Sequence, residues 1–270
     1  MSTLAERQQA YEGSYDNKMI PTLPIVVKAN IRNYEKLIRK LKKPFCKELS
    51  GIIHETMHHT AMELDGCVFS YNFAGEFVFI LRNDLEFDVS PFCGNEVQKI
   101  SSIVSSIITS TFMKYYLASE DPPDIIGEAI FEVHCYPLPS LVETMNYLLY
   151  KQQCCMYYAV SIASRSELLK LYDNLAVDNL LSKHGVASQK EILERETNIV
   201  FDDYYPSFFR RGAACYKAPK IISSKSGDIT RKKWIIDKNM PDFLDNRDFV
   251  MNILQTGQDI LRPERDLIED

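Results

Sequence analysis

Residues 66–81 read GCVFSYNFAGEFVFIL. Two runs dense in aromatic and β-branched side chains, Cys67 to Tyr71 and Glu76 to Leu81, flank Asn72-Phe73-Ala74-Gly75, whose length and glycine predict a hairpin. Upstream, LPIVVKA at Leu23 to Ala29 lies among two prolines and stops at polar residues, as a short buried strand does. Lys42-Lys43-Pro44 breaks the chain between these strands. Leu49, Ile52, Ile53, Met57 and Leu64 then recur at helical spacing over Phe45 to Asp65, with Gly66 as the stop. Downstream, Ile100, Ile103, Val104, Ile107, Ile108 and Thr111 keep the same helical spacing, and Ser101, Ser102, Ser105 and Ser106 let neighbours approach closely. After Pro122-Pro123, Ala129 to Tyr136 alternates as a strand.

Strand, helix, strand, strand, helix, strand is the order of the ferredoxin-like split βαβ unit. The predicted fold class is therefore α+β: a polymerase-palm-like antiparallel sheet (βαββαβ) with helices on one face and a helical C-terminal extension. From Pro139 the pattern turns helical, over Leu141 to Ala163, Glu167 to Asn174 and Asp178 to His184, with a short turn at Gln189 to Glu194. Ala213 to Lys217 and Arg231 to Asp237 read as a second strand pair, and a charged helix closes the chain. Residues 1–138 are expected to form the palm-like domain. Residues 139–270 are expected to form the extension, packed on it as one unit.

Composition narrows the function classes. The 270 residues are 46% hydrophobic and 25% charged, which excludes a disordered chain and a small disulfide scaffold. With 37 acidic and 31 basic residues the net charge is -6, so any contact with nucleic acid must be a local patch. Only 10 glycines, and no G-x-G-x-x-G or G-K-[ST], argue against a glycine-rich phosphate cradle. Seven cysteines without a C-x-x-C pattern fit free thiols in a reducing compartment. The opening MSTLAERQQAYEG is polar and no run approaches the roughly 18 apolar residues of a membrane helix. A cytoplasmic location without membrane contact is expected.

His54-Glu55-Thr56-Met57-His58 formally matches H-E-x-x-H, the helix signature of zinc peptidases. The chain offers only His59, His134 and His184 besides, with no downstream third-histidine pattern, so His54 and His58 are expected to be solvated helix residues. A zinc peptidase remains the remote alternative. Trp234 beside Lys232-Lys233 is expected on the exposed part of a strand, where it could stack on a base.

Taken in order, LPIVVKANIRNYEKL, LKKPF, GCVFSYNFAGEFVFIL, QKISSIVSSIITSTF, FEVHCYPLP, LLYKQQ, YPSFFRRGAACYK and RKKWIIDK resemble the tRNA-His guanylyltransferase-like proteins, from about Arg7 to Asn252. That resemblance implies a palm shared with ordinary polymerases and an activity that adds nucleotides to the 5′ end of tRNA in the 3′-to-5′ direction. It also implies a dimer or tetramer.

The departures fall on the chemistry. The family's Arg-x-Asp-Gly, whose aspartate and glycine carbonyl hold two magnesium ions, is here Lys28, Ala29, Asn30 and Ile31. Its Ser-Asp-Glu becomes Ala74, Gly75 and Glu76, and its Arg-Gln-x-Asp-x-His becomes Lys151, Gln152, Gln153, Cys154, Cys155 and Met156. An amide and a glycine cannot replace carboxylates as ligands of magnesium, which takes hard oxygen donors. The resemblance thus points to a divergent member lacking the metal-binding aspartates. Its expected function is that of a catalytically degenerate binding or structural protein with an RNA, nucleotide or protein partner. No catalytic residue and no metal or cofactor is expected, and Glu76 is the retained carboxylate.

By the same resemblance Lys28, Asn30, Lys42, Lys43, Ala74, Lys99, Lys151, Arg210 and Arg211 are the candidate nucleotide or RNA contacts. The alternative is an active nucleotidyltransferase with a relocated carboxylate, Glu76 or Glu35, for which Mg2+ and a nucleoside triphosphate would be needed. Glu35 is expected to point along a helix away from the strand end.

Overall fold

The structure, a computed structural model, describes residues 3–85, 90–224 and 227–259. Its helices are α1 (Leu4–Gly13), α2 (Tyr34–Leu37), α3 (Lys47–Glu63), α4 (Val97–Ala118), α5 (Leu141–Leu168), α6 (Asn174–Leu181), α7 (Val186–Thr197), α8 (Phe201–Tyr204), α9 (Ser207–Arg211) and α10 (Arg247–Thr256). Its strands are β1 (Ile25–Ile31), β2 (Cys67–Phe73), β3 (Glu76–Leu81), β4 (Phe131–Pro137), β5 (Ala213–Ser224) and β6 (Gly227–Asp237). They form one antiparallel sheet in the order β4-β1-β3-β2-β5-β6.

The first four strands reproduce the split βαβ order read from the sequence. Val27, Ala29, Phe77, Phe79 and Leu81 pack on Ile53 and Met57 of α3 and on Ile100, Val104 and Ile108 of α4. The alternate residues Val26, Tyr71, Val78 and Ile80 pack on Leu148 and Cys155 of α5 and on Phe249 and Ile253 of α10. The helical extension thus covers the face that the four-stranded unit alone would leave open. Burial on both sides explains why FVFIL is an unbroken apolar run rather than an alternating one. The serines of α4 do more than allow close approach: Ser105 Oγ donates to the carbonyl of Phe131 at 2.9 Å and fastens the helix to β4.

The extension departs from its predicted boundaries. α5 runs unbroken to Leu168, and the helix predicted over Glu167 to Asn174 is instead a break at 169–173, after which Asp173 accepts from the Ala176 amide at 2.8 Å and starts α6. The turn predicted at Gln189 to Glu194 is the middle of α7, which ends at Asn198 in a left-handed conformation, φ 58°. The second strand pair is longer than predicted and is not separate from the palm: Phe69 to Asn72 of β2 pair with Ala213 to Tyr216 of β5. α10 supplies the closing helix as far as Thr256, and residues 260–270 lie outside the described residues. Among the described residues no helix is long and apolar enough to cross a membrane.

Candidate ligand site at the hairpin end of the sheet

The register sets Asn30 opposite Glu76 on one side and Glu132 on the other. All three share the face of Val26 and Val78, under the edge of α5. The hairpin loop is Ala74-Gly75, with Ala74 at φ 48°. Asn72 Nδ2 pins it by donating to the Glu76 carbonyl at 2.7 Å, and the Ile31 amide donates to the Gly75 carbonyl at 2.8 Å. Asn30, Ala74, Gly75 and Glu76 therefore come together as the sequence predicts.

Position 75 carries no side chain, and the space beside it is filled. A Cβ built on Gly75 would stand 2.5 Å from Tyr34 Cδ2 and 2.6 Å from Cγ, so the base of that ring fills the space a side chain there would need. Burial, then Glu35 and Cys46, hold the Tyr34 phenol well above its ordinary range, and it stays protonated.

Glu76 is not free. Its Oε1 lies 2.7 Å from Lys151 Nζ, both side chains largely buried, in an ion pair whose angles fall outside those of a hydrogen bond. The ammonium also sits 5.4 Å and 5.2 Å from the ring centres of Tyr147 and Tyr150. Glu35 is engaged elsewhere. α2 is only four residues long and turns Glu35 toward α5, where it accepts from the Tyr158 hydroxyl at 3.0 Å. Glu132 is exposed and lies 3.4 Å from Arg32.

As a donor set for the magnesium ions implied by the resemblance, these positions offer an amide, a backbone without a side chain and a carboxylate already paired with lysine. That does not fit an ion that takes carboxylate and phosphate oxygens. Among the described residues no three His, Cys, Asp or Glu side chains are grouped so as to hold a metal.

Beyond the hairpin a pocket opens between α2, α3, α5 and α9. Tyr34, Phe45, Tyr158, Phe208 and Phe209 supply its aromatic walls, and Asn72, Ala74, Lys42 and His54 also line it. His54 is buried, not solvated as predicted, because this face of α3 meets α9: its ring is edge-on to Phe208 at 5.5 Å. Burial, and then Lys238, push its pKa down from 6.5 to about 4. A depressed histidine pKa means that the neutral form is the one the fold accommodates. Stability is full above about pH 6.5 and falls as the pH drops toward 4, by on the order of 3 kcal/mol. Denaturation midpoints between pH 7 and pH 4 should therefore fall more steeply for the wild type than for His54→Leu. Parallel curves would show that His54 is not the titrating group.

The remaining candidates are dispersed. Lys28 lies one register step from Asn30 on the same face. Lys42 and Lys43 stand where α2 leads into α3, and burial lowers the Lys43 pKa. Arg210 is spent on structure, with Nε on the Tyr205 carbonyl at 2.7 Å and Nη1 near Asp202 at 3.4 Å. Arg211 has its carbonyl held by Tyr71 and Gln152 and faces a small pocket with Asp242. Lys99 stands apart, paired with Glu96 at 3.1 Å in the first turn of α4, toward the Leu81 end of the sheet. Trp234 and Lys232 also line an opening at that far end. Nothing in the sequence marked Tyr34 or Tyr158. Glu132 had a signal, the polar alternation of Glu132 and His134 along β4.

A family model described as tRNAHis guanylyltransferase matches residues 5–139. tRNA(His) guanylyltransferase 2 of Arabidopsis thaliana is 20% identical over 230 residues, 81% of this chain but 41% of the relative, so the chain spans less than half the length of the curated relative it matches. Among solved structures, a bacterial tRNA(His) guanylyltransferase-like protein in complex with ATP is similar at a TM-score of 0.77 and 21% identity, covering 93% of this chain and 99% of that one. The tRNA(His) guanylyltransferase of Saccharomyces cerevisiae is similar at 0.68 and 16%, over 87% and 98% of the two chains. At these identities the structural likeness speaks for the fold.

Proposed function

The chain belongs to the tRNA(His) guanylyltransferase family, and from that premise we propose that it keeps the palm as a binding frame and has given up metal-dependent nucleotide transfer. The observation that carries this reading is the Tyr34 ring packed where a residue-75 side chain would project. A carboxylate merely lost could be regained by one substitution. Here the vacated space has been built over, and the neighbouring Glu76 is neutralised by Lys151. Two-metal catalysis lowers its barrier by several kcal/mol through the ions alone, and each 1.4 kcal/mol or so is a factor of ten in rate.

The aromatic pocket beyond the hairpin is the seat of binding. Its rings suit a planar heteroaromatic group, and Lys42 at its edge suits a phosphate, so a nucleotide, free or at an RNA end, is the ligand class. Incubation with magnesium, nucleoside triphosphates and a 5′-truncated tRNA should give no extension above a protein-free control, whereas binding of ATP or GTP by equilibrium dialysis should survive EDTA. Robust incorporation overturns the reading.

Glu132 favours a second reading, a transferase with a relocated carboxylate, because it lies beside Asn30 on the same face and is exposed. In that case the activity found should vanish in Glu132→Gln.

A further inference from the structure

On the outer side of Phe45 and Phe208 lies a second opening of about 840 Å³, between the α2–α3 connection, the end of α5 and the α8–α9 connection. Four lysines line it: Lys42, Lys43, Lys47 and Lys170. Its carboxylates are partly engaged. Glu167 is paired with Lys170 at 2.7 Å, Glu48 accepts from the Cys46 thiol at 3.0 Å, and Asp203 completes the acidic set. Among the described residues no carboxylate lies within ion-pair distance of Lys42, Lys43 or Lys47. The lining thus keeps a small excess of positive charge in a protein whose net charge is -6.

Tyr205 points to a ligand independently. It is 4% exposed, its ring clamped by Phe201 and Phe209 at 5.3 Å and 5.4 Å, yet its buried hydroxyl has no hydrogen-bond partner. Buried hydroxyls are ordinarily satisfied, so an orphan beside a lysine-lined opening is a donor awaiting an acceptor. Burial, then Glu167 and Tyr204, keep this phenol protonated and able to donate. Tyr205 itself lines the opening, next to Tyr204 and Pro206.

We propose that this opening is a phosphoanion site, in which Lys42, Lys43 and Lys47 supply charge and the Tyr205 hydroxyl the directed hydrogen bond for the phosphate group of a small phosphorylated compound. An apolar ligand would strand the lysines and a metal cation would be repelled by them, whereas a phosphate accepts from both donor types. The site shares Lys42 and the Phe45 and Phe208 wall with the hairpin pocket, but Lys43, Lys47 and Tyr205 line this opening alone, so variants at those three residues test it whether or not that pocket takes a nucleotide.

Isothermal titration of the full chain with inorganic phosphate, and with glycerol phosphate, tests it. Saturable binding is expected, weakened about tenfold in Lys43→Gln/Lys47→Gln and about fivefold in Tyr205→Phe. Because the hydroxyl is unpaired without ligand, Tyr205→Phe should melt at or above the wild-type temperature. A lower melting temperature for that variant assigns the hydroxyl a structural role and overturns the proposal. So does the absence of saturable phosphate binding, or binding indifferent to these residues. If neither phosphate compound binds but a single-stranded oligoribonucleotide does so through these lysines, the surface serves an RNA backbone and the proposal is equally overturned.

Discussion

Placing an acid at position 75 should destabilise the protein rather than build a working metal site. Gly75→Asp is expected to cost about 3 kcal/mol, because the new Cβ meets the root of the Tyr34 ring and the carboxylate is pushed into a packed aromatic surface. The contact is with Cγ and Cδ2, and Cβ itself would lie 3.1 Å away, so no rotation of a distal group relieves it. Denaturant titration measures the loss, and a Tyr34→Ala background should reduce it to about 1 kcal/mol or less, since two residues sharing one space do not act additively. Equal costs in both backgrounds would mean that Tyr34 does not occupy the space beside position 75. The same double variant carrying Asn30→Asp asks whether clearing the ring is enough to create a divalent-ion site, read directly by Mn2+ binding.

The second large effect concerns Glu76 and Lys151. Lys151→Met should cost about 3–5 kcal/mol, most of it the penalty of leaving the Glu76 carboxylate buried without its partner. Glu76→Gln strands the ammonium in the same way, though the flanking Tyr147 and Tyr150 rings soften the loss. Glu76→Gln/Lys151→Met should recover most of the stability, because neither charge then remains to be solvated. Additive losses in the double variant would show that the two residues stabilise the fold separately. The pair joins the hairpin to α5, so its loss should also loosen the pocket edge at Ala74.

The palm was legible in the sequence because its elements carry strong local signals: seven-residue apolar strands, one hairpin glycine and a serine-spaced helical stripe. Boundaries in the extension were less legible. The cap formed by Asp173 outweighed the helical look of residues 169–173, and α5 runs five residues past its predicted end at Ala163. The site was half legible. Alignment of motifs placed Asn30, Gly75 and Glu76 together, but it could not show what fills the space of a missing side chain, which depends on a ring four residues beyond β1's Asn30. His54 failed for the same kind of reason: the HETMH helix reads as exposed until α9, some 150 residues later in the chain, closes over it. Lys99 was linked to the site by motif order, while the register puts the first turn of α4 toward the other end of the sheet.

The hydrogen bonding of β5 to β2 has a bearing on how this chain can be divided. The segment that sequence comparison delineates ends at residue 139, yet β2 finds its outer neighbour only at residues 213–216. A fragment cut there would leave the outer edge of β2, over Phe69 to Asn72, without its partner strand. It would also bare Val26, Tyr71, Val78 and Ile80 as a sticky sheet surface, the combination that drives chains to pair with copies of themselves. What homology marks off as a unit is, in water, half of an adhesive.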